Sequence, residues 1–255
     1  GAISGESVVL NFTDSNFSAN TSTLNGGAIS TESSTISTSH CIFTTNQNTS
    51  ANGGGALNVS DGTLSDVNGT YSGNSCAQGF GGGAIRWAGL DANFTRTTFN
   101  ANEAPTYSGG AIIATSGTLR FSKCAFSGNT SGARGGAISG ESVVLNFTDS
   151  NFSANTSTLN GGAISVDSST ISTIDCVFSF NQSNGNGGGA CHAFKGTWAE
   201  SNSTYASNKS VHDGGAFLWE EVSGSISDSN FTSNENTHWN GGGALSIVKA
   251  SPSII

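Results

Sequence analysis

The chain has 255 residues, of which 35% are hydrophobic and 36 are glycine, and it contains no methionine. Such a composition disfavours the long amphipathic helices of an ordinary helical domain. The formal net charge is −9, and the eight lysines and arginines are scattered singly, which excludes a phosphate-binding surface and hence a nucleic-acid partner. No stretch approaches the roughly 18 apolar residues of a membrane-spanning helix, so we expect no membrane insertion by this segment.

A glycine–alanine pair recurs along the whole chain at intervals of 26 to 28 residues. We call the alanine of each pair the lead alanine, and the segment that it opens a coil. The ten lead alanines are Ala2, Ala28, Ala56, Ala84, Ala111, Ala137, Ala163, Ala190, Ala216 and Ala244. The stretch from Gly1 to Ser30 returns unchanged from Gly136 to Ser165, five coils later, which indicates a tandem duplication. The sequence therefore predicts one repeat domain over residues 1–255, a segment of a longer protein, with duplicated halves 1–135 and 136–255.

Two further residues keep a fixed distance from the lead alanine. An aromatic residue follows it by 15 positions in nine coils, and an asparagine follows the aromatic by three. The aromatic column comprises Phe17, Phe43, Tyr71, Phe99, Phe126, Phe152, Phe178, Tyr205 and Phe231. The asparagine column comprises Asn20, Asn46, Asn74, Asn102, Asn129, Asn155, Asn181, Asn208 and Asn234. Because the length varies only after this asparagine, each coil consists of a fixed body and an adjustable loop.

The fixed body alternates apolar and polar residues with a period of two, which is typical of short β-strands, and breaks divide it into about three strands. Repeated units of this length predict an all-β, right-handed parallel β-helix, a solenoid of about nine to ten coils of 26–28 residues. We expect each ring of the aromatic column to stack on the ring one coil away. We also expect each amide of the asparagine column to bond to the backbone of the neighbouring coil.

Two four-residue motifs alternate over essentially the whole chain. The motif GGAI occurs at Gly26–Ile29, Gly82–Ile85 and Gly109–Ile112, and the motif F-x-x-N occurs at Phe17–Asn20, Phe43–Asn46 and Phe126–Asn129. These paired motifs resemble the repeats of chlamydial polymorphic outer membrane proteins, a family of autotransported surface adhesins. The resemblance implies a surface-exposed β-helical passenger that takes part in adhesion or self-assembly.

Glycosylation sequons of the form Asn-x-Ser/Thr occur fifteen times, about twice as often as composition predicts. Composition and the duplication together offer an alternative explanation of this excess. Five sequons lie in the asparagine column, where an inward ladder would keep them from a glycosyltransferase, namely Asn20, Asn129, Asn155, Asn181 and Asn208. We expect the other ten, with Asn48 in a loop, to project outward and carry N-linked glycan: Asn11, Asn16, Asn48, Asn58, Asn68, Asn93, Asn146, Asn151, Asn202 and Asn230.

Acidic residues that stack one coil apart are the candidates for catalysis. The pairs are Glu6 with Glu32, Glu141 with Asp167, and Asp149 with Asp175. Carboxylates about 5 Å apart would suit a retaining glycosidase or a shared Ca²⁺ ion. In the predicted register no arginine or lysine accompanies these pairs, so we interpret them as a solvated acidic face. The sequence thus predicts no enzyme, no metal site and no cofactor, with Ca²⁺ at the stacked carboxylates as a weak alternative.

Two neighbouring cysteine–histidine pairs resemble a nucleophile beside its base. They are His40 with Cys41, and Cys191 with His192. Successive residues of a strand face opposite sides, so we expect each thiol to be buried and each imidazole to be in water, which excludes a catalytic pair.

The remaining cysteines and the tryptophans give no site either. We place Cys124 and Cys176 in an inward column with Cys41. Because these three cysteines lie on non-adjacent coils, we expect no disulfide between them. Cys76 is placed in a variable loop. Trp87 and Trp219 occupy equivalent positions and are interpreted as packing residues, with a carbohydrate-stacking surface as the alternative, and Trp239 is placed in a loop.

The function predicted from these patterns is a structural or adhesive extracellular rod at the cell surface. We expect self-association end to end, into filaments or a surface stalk, because an uncapped β-helix exposes unpaired strand edges. Two alternatives stay open at this point. One is a carbohydrate-active β-helix enzyme, a polysaccharide lyase or glycosidase that uses the stacked acids, and the other is the passenger of a bacterial autotransporter adhesin.

Overall fold

The computed structural model describes residues 1–49, 52–238 and 241–254, and Trp239 lies outside these ranges. Over the described residues every regular element is a β-strand, and strands of successive coils pair in parallel, as in the pairing of Ile3–Glu6 with Ile29–Glu32. Each ladder adds one coil at a time, so the chain winds as a parallel β-solenoid of about nine turns. The predicted fold class is confirmed.

Three sheets run along the solenoid, and we call them sheets A, B and C in the order in which a coil passes through them. Most coils contribute two strands to sheet A. The first strands are Ile3–Glu6, Ile29–Glu32, Leu57–Ser60, Ile85–Ala88, Ile112–Ala114, Ile138–Glu141 and Leu245–Val248. The second strands are Val9–Thr13, Thr35–Ser39, Thr63–Val67, Asp91–Thr95, Thr118–Ser122, Val144–Thr148 and Ser253–Ile254. In three coils the two strands merge into Ile164–Ile174, Cys191–Ser201 and Phe217–Ser227.

Sheets B and C are narrower, with one strand per coil. Sheet B consists of Asn16–Ser18, Ile42–Thr44, Thr70–Ser72, Thr98–Asn100, Ala125–Ser127, Asn151–Ser153, Val177–Ser179, Thr204–Ala206 and Asn230–Thr232. Sheet C consists of Thr21–Ser22, Gln47–Asn48, Ser75–Cys76, Glu103–Ala104, Thr130–Ser131, Thr156–Ser157, Gln182–Ser183, Lys209–Ser210 and Glu235–Asn236. In most coils the fixed body holds the expected three strands, two in sheet A and one in sheet B, whereas the strand of sheet C follows the asparagine column and was not predicted.

Left-handed backbone makes the corners on either side of sheet B. In nine coils the residue two positions before the strand of sheet B has a positive φ, and it is never glycine: Asp14, His40, Asn68, Arg96, Lys123, Asp149, Asp175, Asn202 and Asp228. A second column, two residues after the aromatic, is also left-handed, as at Ala101 and Phe180. Single left-handed residues are accessible to any side chain at a modest cost, so regular ladders on both sides hold even lysine and phenylalanine in this conformation.

The glycines before the lead alanines allow the backbones of adjacent coils to approach each other. A Cβ atom on Gly83 would collide with the carbonyl oxygen of Gly110 and lie 2.5 Å from the backbone nitrogen of Glu103. The preceding position is left-handed in several coils, for example at Gly109 with φ +72°. Close approach and positive φ are the two circumstances that only glycine meets without strain.

The rings of the aromatic column form one continuous file through the interior. Consecutive ring centroids are 4.6 to 4.9 Å apart, and the ring planes are within 13° of parallel. A second file, Phe94, Phe121 and Phe147, stacks beside it and meets it edge-on. Stacked and edge-on contacts each add about 0.5 to 1.5 kcal/mol to the free energy gained by burial.

The asparagine column forms a hydrogen-bonded ladder at the corner between sheets B and C. The backbone N–H and the side-chain Nδ2 of Asn102 both donate to Oδ1 of Asn129, each over 3.0 Å, and Nδ2 also donates to the carbonyl of Tyr71 over 2.9 Å. Oδ1 of Asn102 accepts the equivalent two bonds from Asn74. Every polar atom of the amide is used, so aspartate would lack the donors and serine would lack the reach.

Candidate groove on sheet A

A groove runs along the outer face of sheet A, beside the loops of variable length. Its floor consists of the outward residues two and four positions after each lead alanine, from Ser4 and Glu6 in the first coil to Ser165 and Asp167 in the seventh. Two clefts, of about 630 Å³ and about 580 Å³, meet at Arg86 and together make up this groove. Six coil steps of about 4.8 Å make it roughly 29 Å long, parallel to the axis of the solenoid.

Two aromatic side chains stand on the loop wall of the larger cleft. Phe80 is 58% exposed, and its ring meets that of Tyr107 edge-on with centroids 4.6 Å apart. Gly79, with φ +72°, turns the chain immediately before Phe80. Partial burial and then the carboxylate of Glu141 raise the pKa of Tyr107, so its hydroxyl stays protonated and is available as a hydrogen-bond donor.

Backbone hydrogen bonds between two loops fix the position of Arg134 on the same wall. Ala133 N–H donates to the carbonyl of Tyr107 over 3.0 Å, and Gly109 N–H donates to the carbonyl of Arg134 over 2.9 Å. The backbone N–H of Arg134 also donates to the hydroxyl of Ser108 over 3.3 Å. The loops therefore continue the parallel ladder, which keeps an exposed wall in a defined conformation.

The stacked carboxylates of sheet A lie at the two ends of this groove. Glu6 pairs in register with Glu32, and both line the smaller cleft, while Glu141 pairs with Asp167 in the larger one. The expectation that no arginine accompanies them is wrong, because Arg86 and Arg134 line the groove with them. Arg134 escaped prediction because it lies in a loop of variable length. Arg86 escaped it because its coil carries Ala88, not an acid, at the stacked position of sheet A. The third pair, Asp149 and Asp175, occupies the exposed left-handed corner before sheet B, outside the groove.

No cluster suited to a metal ion accompanies these carboxylates. In residues 1–49, 52–238 and 241–254, no group of three or more His, Cys, Asp or Glu side chains is arranged to hold one. The acid pairs supply two carboxylates each, and Ca²⁺ takes six to eight oxygen ligands.

The polar residues Ser165, His192 and Glu220 occupy three successive coils next to the groove. His192 Nε2 is 2.9 Å from Glu220 Oε2, and Nδ1 is 3.1 Å from the hydroxyl of Ser165. The hydrogen bond with His192 lowers the pKa of Glu220. His192 is only 3% exposed, so the expectation of an imidazole in water is wrong for this residue, because neighbouring coils cover it. His40 is exposed as expected, and the thiols of Cys41 and Cys191 are buried.

Two carboxyl groups are buried inside the described part of the solenoid, and neither was predicted from the sequence. Asp66 and Glu200 are at most 1% exposed and occupy equivalent positions in the two halves. Burial raises the pKa of both groups, against hydrogen bonds that lower it. Each accepts a hydrogen bond from a threonine of the coil before, Thr38 and Thr173 respectively. The sequence did carry a signal, since the only two tyrosines of the aromatic column, Tyr71 and Tyr205, occur in these two coils.

The two tyrosines differ in their hydrogen bonds. The hydroxyl of Tyr205 donates to Glu200 Oε2 over 2.6 Å, whereas the buried hydroxyl of Tyr71 makes no hydrogen bond of normal geometry within the described part of the chain. The side chain of Asp66 is one methylene shorter than that of Glu200. The carboxyl that reaches the tyrosine in the second half therefore stops short of it in the first.

Of the ten asparagines predicted to carry glycan, two are buried. Asn48 lies in a strand of sheet C, not in a loop, and its side-chain amide donates inward to the carbonyl of Asn25. Asn58 lies on the outer face but is only 6% exposed, beneath Arg86, whose Nη1 donates to its amide oxygen over 3.3 Å. These two assignments are corrected. The remaining eight are exposed or half-buried, at Asn11, Asn16, Asn68, Asn93, Asn146, Asn151, Asn202 and Asn230.

The five cysteines and three of the tryptophans, Trp87, Trp198 and Trp219, belong to the core. Burial raises the pKa of the Cys124 thiol to about 11 and that of Cys176 to about 12, so neither is a thiolate at neutral pH. Cys76 lies in a strand of sheet C and is 2% exposed, which corrects its placement in a loop. Trp87 and Trp219 are at most 1% exposed, which confirms packing and removes the carbohydrate-stacking alternative for these two residues.

Three segments match the model of the Chlamydia polymorphic membrane protein repeat, at residues 14–32, 123–141 and 149–167. Each begins at the left-handed corner before sheet B and ends at an acidic residue of the groove floor, namely Glu32, Glu141 or Asp167. Comparison with curated proteins and with solved structures gave no match. Among the described residues no helix is long and apolar enough to cross a membrane. Three segments of the chain thus match the Chlamydia polymorphic membrane protein repeat, within a parallel β-helix.

Proposed function

We propose that this chain is a surface-exposed, adhesin-type rod that presents the groove of sheet A to its binding partner. The observation that carries the proposal is the threefold match to the Chlamydia polymorphic membrane protein repeat, since that repeat comes from a family of surface proteins. The solenoid suits this role, because ladders along its whole length hold the exposed loops on one edge. Loop variation on one edge of a repeat protein commonly marks its binding face.

The test has two parts. Antibodies raised against the purified chain are expected to label intact cells of the source organism as strongly as permeabilised ones. Beads coated with the chain are expected to adhere to host or neighbouring cells, and beads coated with a variant changed at Phe80 and Arg134 are expected to adhere less. Labelling that requires permeabilisation would contradict surface exposure.

As part of this proposal, N-linked glycans occupy the eight accessible sequon asparagines. The geometry of each site supports this, since the side chains of Asn11, Asn16 and Asn151 are exposed, whereas Asn129 and Asn155 are fully buried in the asparagine ladder. Peptide mass spectrometry of the protein from its source is expected to find sugar on the accessible set alone. Sugar on the ladder asparagines or on Asn48 would overturn the assignment.

End-to-end association of rods is also part of the proposal. The first coil has the same sequence as the coil that opens at Ala137, and that copy accepts a neighbouring coil on each side. The ring of Phe152 is fully buried between Phe126 and Phe178, so a coil of this sequence can accept a neighbour on both of its faces. The sedimentation coefficient of the chain is expected to rise with concentration, and Phe17→Lys to abolish the rise. A monomer at all concentrations would exclude self-association.

A further inference from the structure

We infer that the groove of sheet A binds a neutral, hydroxyl-rich oligosaccharide chain, lying parallel to the axis of the solenoid. This inference rests on the proposed function, of which it names the partner. It depends on four features of the groove, namely its aromatic wall, its charged side chains, its length, and the state of the backbone beneath it.

The aromatic wall is suited to the face of a sugar ring. Phe80 is the exposed member of an edge-to-face pair, and Tyr107 supports it from behind while keeping a protonated hydroxyl. An exposed aromatic face held by a second ring offers apolar contact area that is already ordered. Little conformational entropy is then lost when a ligand stacks on it.

The charged side chains are suited to vicinal hydroxyl groups rather than to a charged ligand. Arg86 and Arg134 offer planar donors, and Glu141 and Asp167 offer acceptors, within the larger cleft. The smaller cleft adds Glu32 and its stacked neighbour in the first coil, so the groove as a whole holds more acid than base. A polyanion would be repelled at both ends, which is why the inference specifies a neutral chain.

The state of the backbone excludes a peptide bound by strand addition. Peptides bind sheets by adding a strand to an open edge, where N–H and C=O groups are free. On the face of sheet A these groups already bond along the axis, as in Ala137 N–H to the carbonyl of Ala163 over 2.9 Å. Recognition in the groove must therefore come from side chains, and a length of roughly 29 Å suits a chain of several sugar units.

The second half of the chain offers a comparison within the same molecule. The position of Arg86 is taken five coils later by Leu218, which is 3% exposed, and the position of Phe80 is taken by His212. Beside Leu218 the buried His192 takes the place of Asn58. The same scaffold is thus covered there by buried side chains, so an open groove is not a requirement of the fold.

The experiment measures binding of the full chain to a panel of soluble oligosaccharides. The panel contains neutral hexamers of β-1,4-glucose, α-1,4-glucose, β-1,4-mannose and β-1,4-N-acetylglucosamine, with hexagalacturonate as the acidic arm. Microarray screening is followed by calorimetry on each compound. At least one neutral hexamer is expected to bind, its trimer to bind more weakly, and hexagalacturonate to bind more weakly still.

The variants assign that binding to the groove. Phe80→Ala is expected to weaken it by about threefold to tenfold, the loss of one aromatic contact, and Arg86→Leu, which reproduces the second half, to abolish it. His212→Ala is the matched control and should leave binding unchanged. Thermal unfolding of Phe80→Ala should match that of the wild type, because the side chain is mostly exposed.

Three results would overturn the inference. They are no binding by any neutral hexamer, tighter binding of hexagalacturonate than of every neutral compound, and neutral binding that survives both Phe80→Ala and Arg86→Leu. If no neutral oligosaccharide binds but coated beads still adhere to cells, the adhesive function remains supported and has another partner. Loss of adhesion while oligosaccharides still bind would instead refute the proposed function.

Discussion

The two tyrosines of the aromatic file provide a matched test of how a buried hydroxyl group changes the stability of the core. Tyr71 and Tyr205 sit at the same position of equivalent coils, each stacked between two rings, so replacing either by phenylalanine keeps the ring and removes only the hydroxyl. The Tyr205 hydroxyl donates to Glu200, and among the residues that the structure describes none makes a hydrogen bond of normal geometry with the Tyr71 hydroxyl. The same substitution is therefore expected to change stability in opposite directions.

The expected changes in stability follow from the free-energy cost of burying a hydroxyl group without a hydrogen-bond partner. A buried hydroxyl without a partner costs about 1–3 kcal/mol, so Tyr71→Phe is expected to stabilise the chain by at least about 1 kcal/mol. Tyr205→Phe removes a hydrogen bond to a buried carboxyl and is expected to destabilise it by about 1.5–3 kcal/mol. At about 2–4 °C per kcal/mol for a chain of this size, the melting temperatures of the two variants should differ by about 5 °C or more.

The assay is thermal unfolding followed by circular dichroism, supported by the midpoint of guanidinium unfolding at neutral pH. Wild type and both variants are compared in one buffer and at one protein concentration. Destabilisation by Tyr71→Phe as large as that caused by Tyr205→Phe would refute the reasoning, since it would mean that the hydroxyl of Tyr71 makes a hydrogen bond of similar strength.

Two further predictions concern the buried acids and the glycines. Burial raises the folded-state pKa of Asp66 and Glu200, so their contribution to stability is complete below the unfolded-state value of about 4 and is lost as pH rises through the raised pKa. Guanidinium midpoints should therefore fall more between about pH 4 and pH 8 in the wild type than in an Asp66→Asn, Glu200→Gln double variant, and equal slopes would contradict this. Gly83→Ala is expected to lower the melting temperature far more than Gly128→Ala, because a Cβ at Gly83 would collide with backbone atoms. At Gly128 φ is +61°, but nothing lies within 4 Å of the added Cβ. Similar losses in melting temperature would show that positive φ, and not close approach of the backbones, determines the cost of the substitution.

The sequence predicted those features that every coil must repeat. The aromatic file and the asparagine ladder follow from spacing alone, because a residue that stacks on its own copy must return at the same point of each turn. The short strand of sheet C was missed because two residues per coil are too few to show a period of two. Asn48 and Cys76 were placed in loops for that reason, and the structure buries both.

The groove could not be predicted in the same way, because its wall comes from the part of the coil that does not repeat. Phe80, Tyr107 and Arg134 lie in loops of different length, and no column relates them until the fold brings them together. The buried acids were predictable in principle. An acid at an inward position, with a tyrosine five residues later in a column of phenylalanines, marks both sites, although the acid and the tyrosine are hydrogen-bonded only at Glu200 and not at its equivalent Asp66.

The division between body and loop explains how one solenoid can be conserved in structure and varied in function. In the body, each residue contacts its own equivalents in the coils before and after, so a change at one coil disturbs two ladders. The outward side chains of sheet A and of the loops beside it belong to neither the file of rings nor the ladder of amides. The duplicated halves differ at these outward positions, since Arg86 lines the open groove whereas Leu218, at the equivalent position, is buried. Both halves keep the same file of rings and the same ladder of amides. A binding site can therefore be opened or closed on this fold by exchanging surface residues of one or two coils, while the ladders that set the stability of the rod stay unchanged.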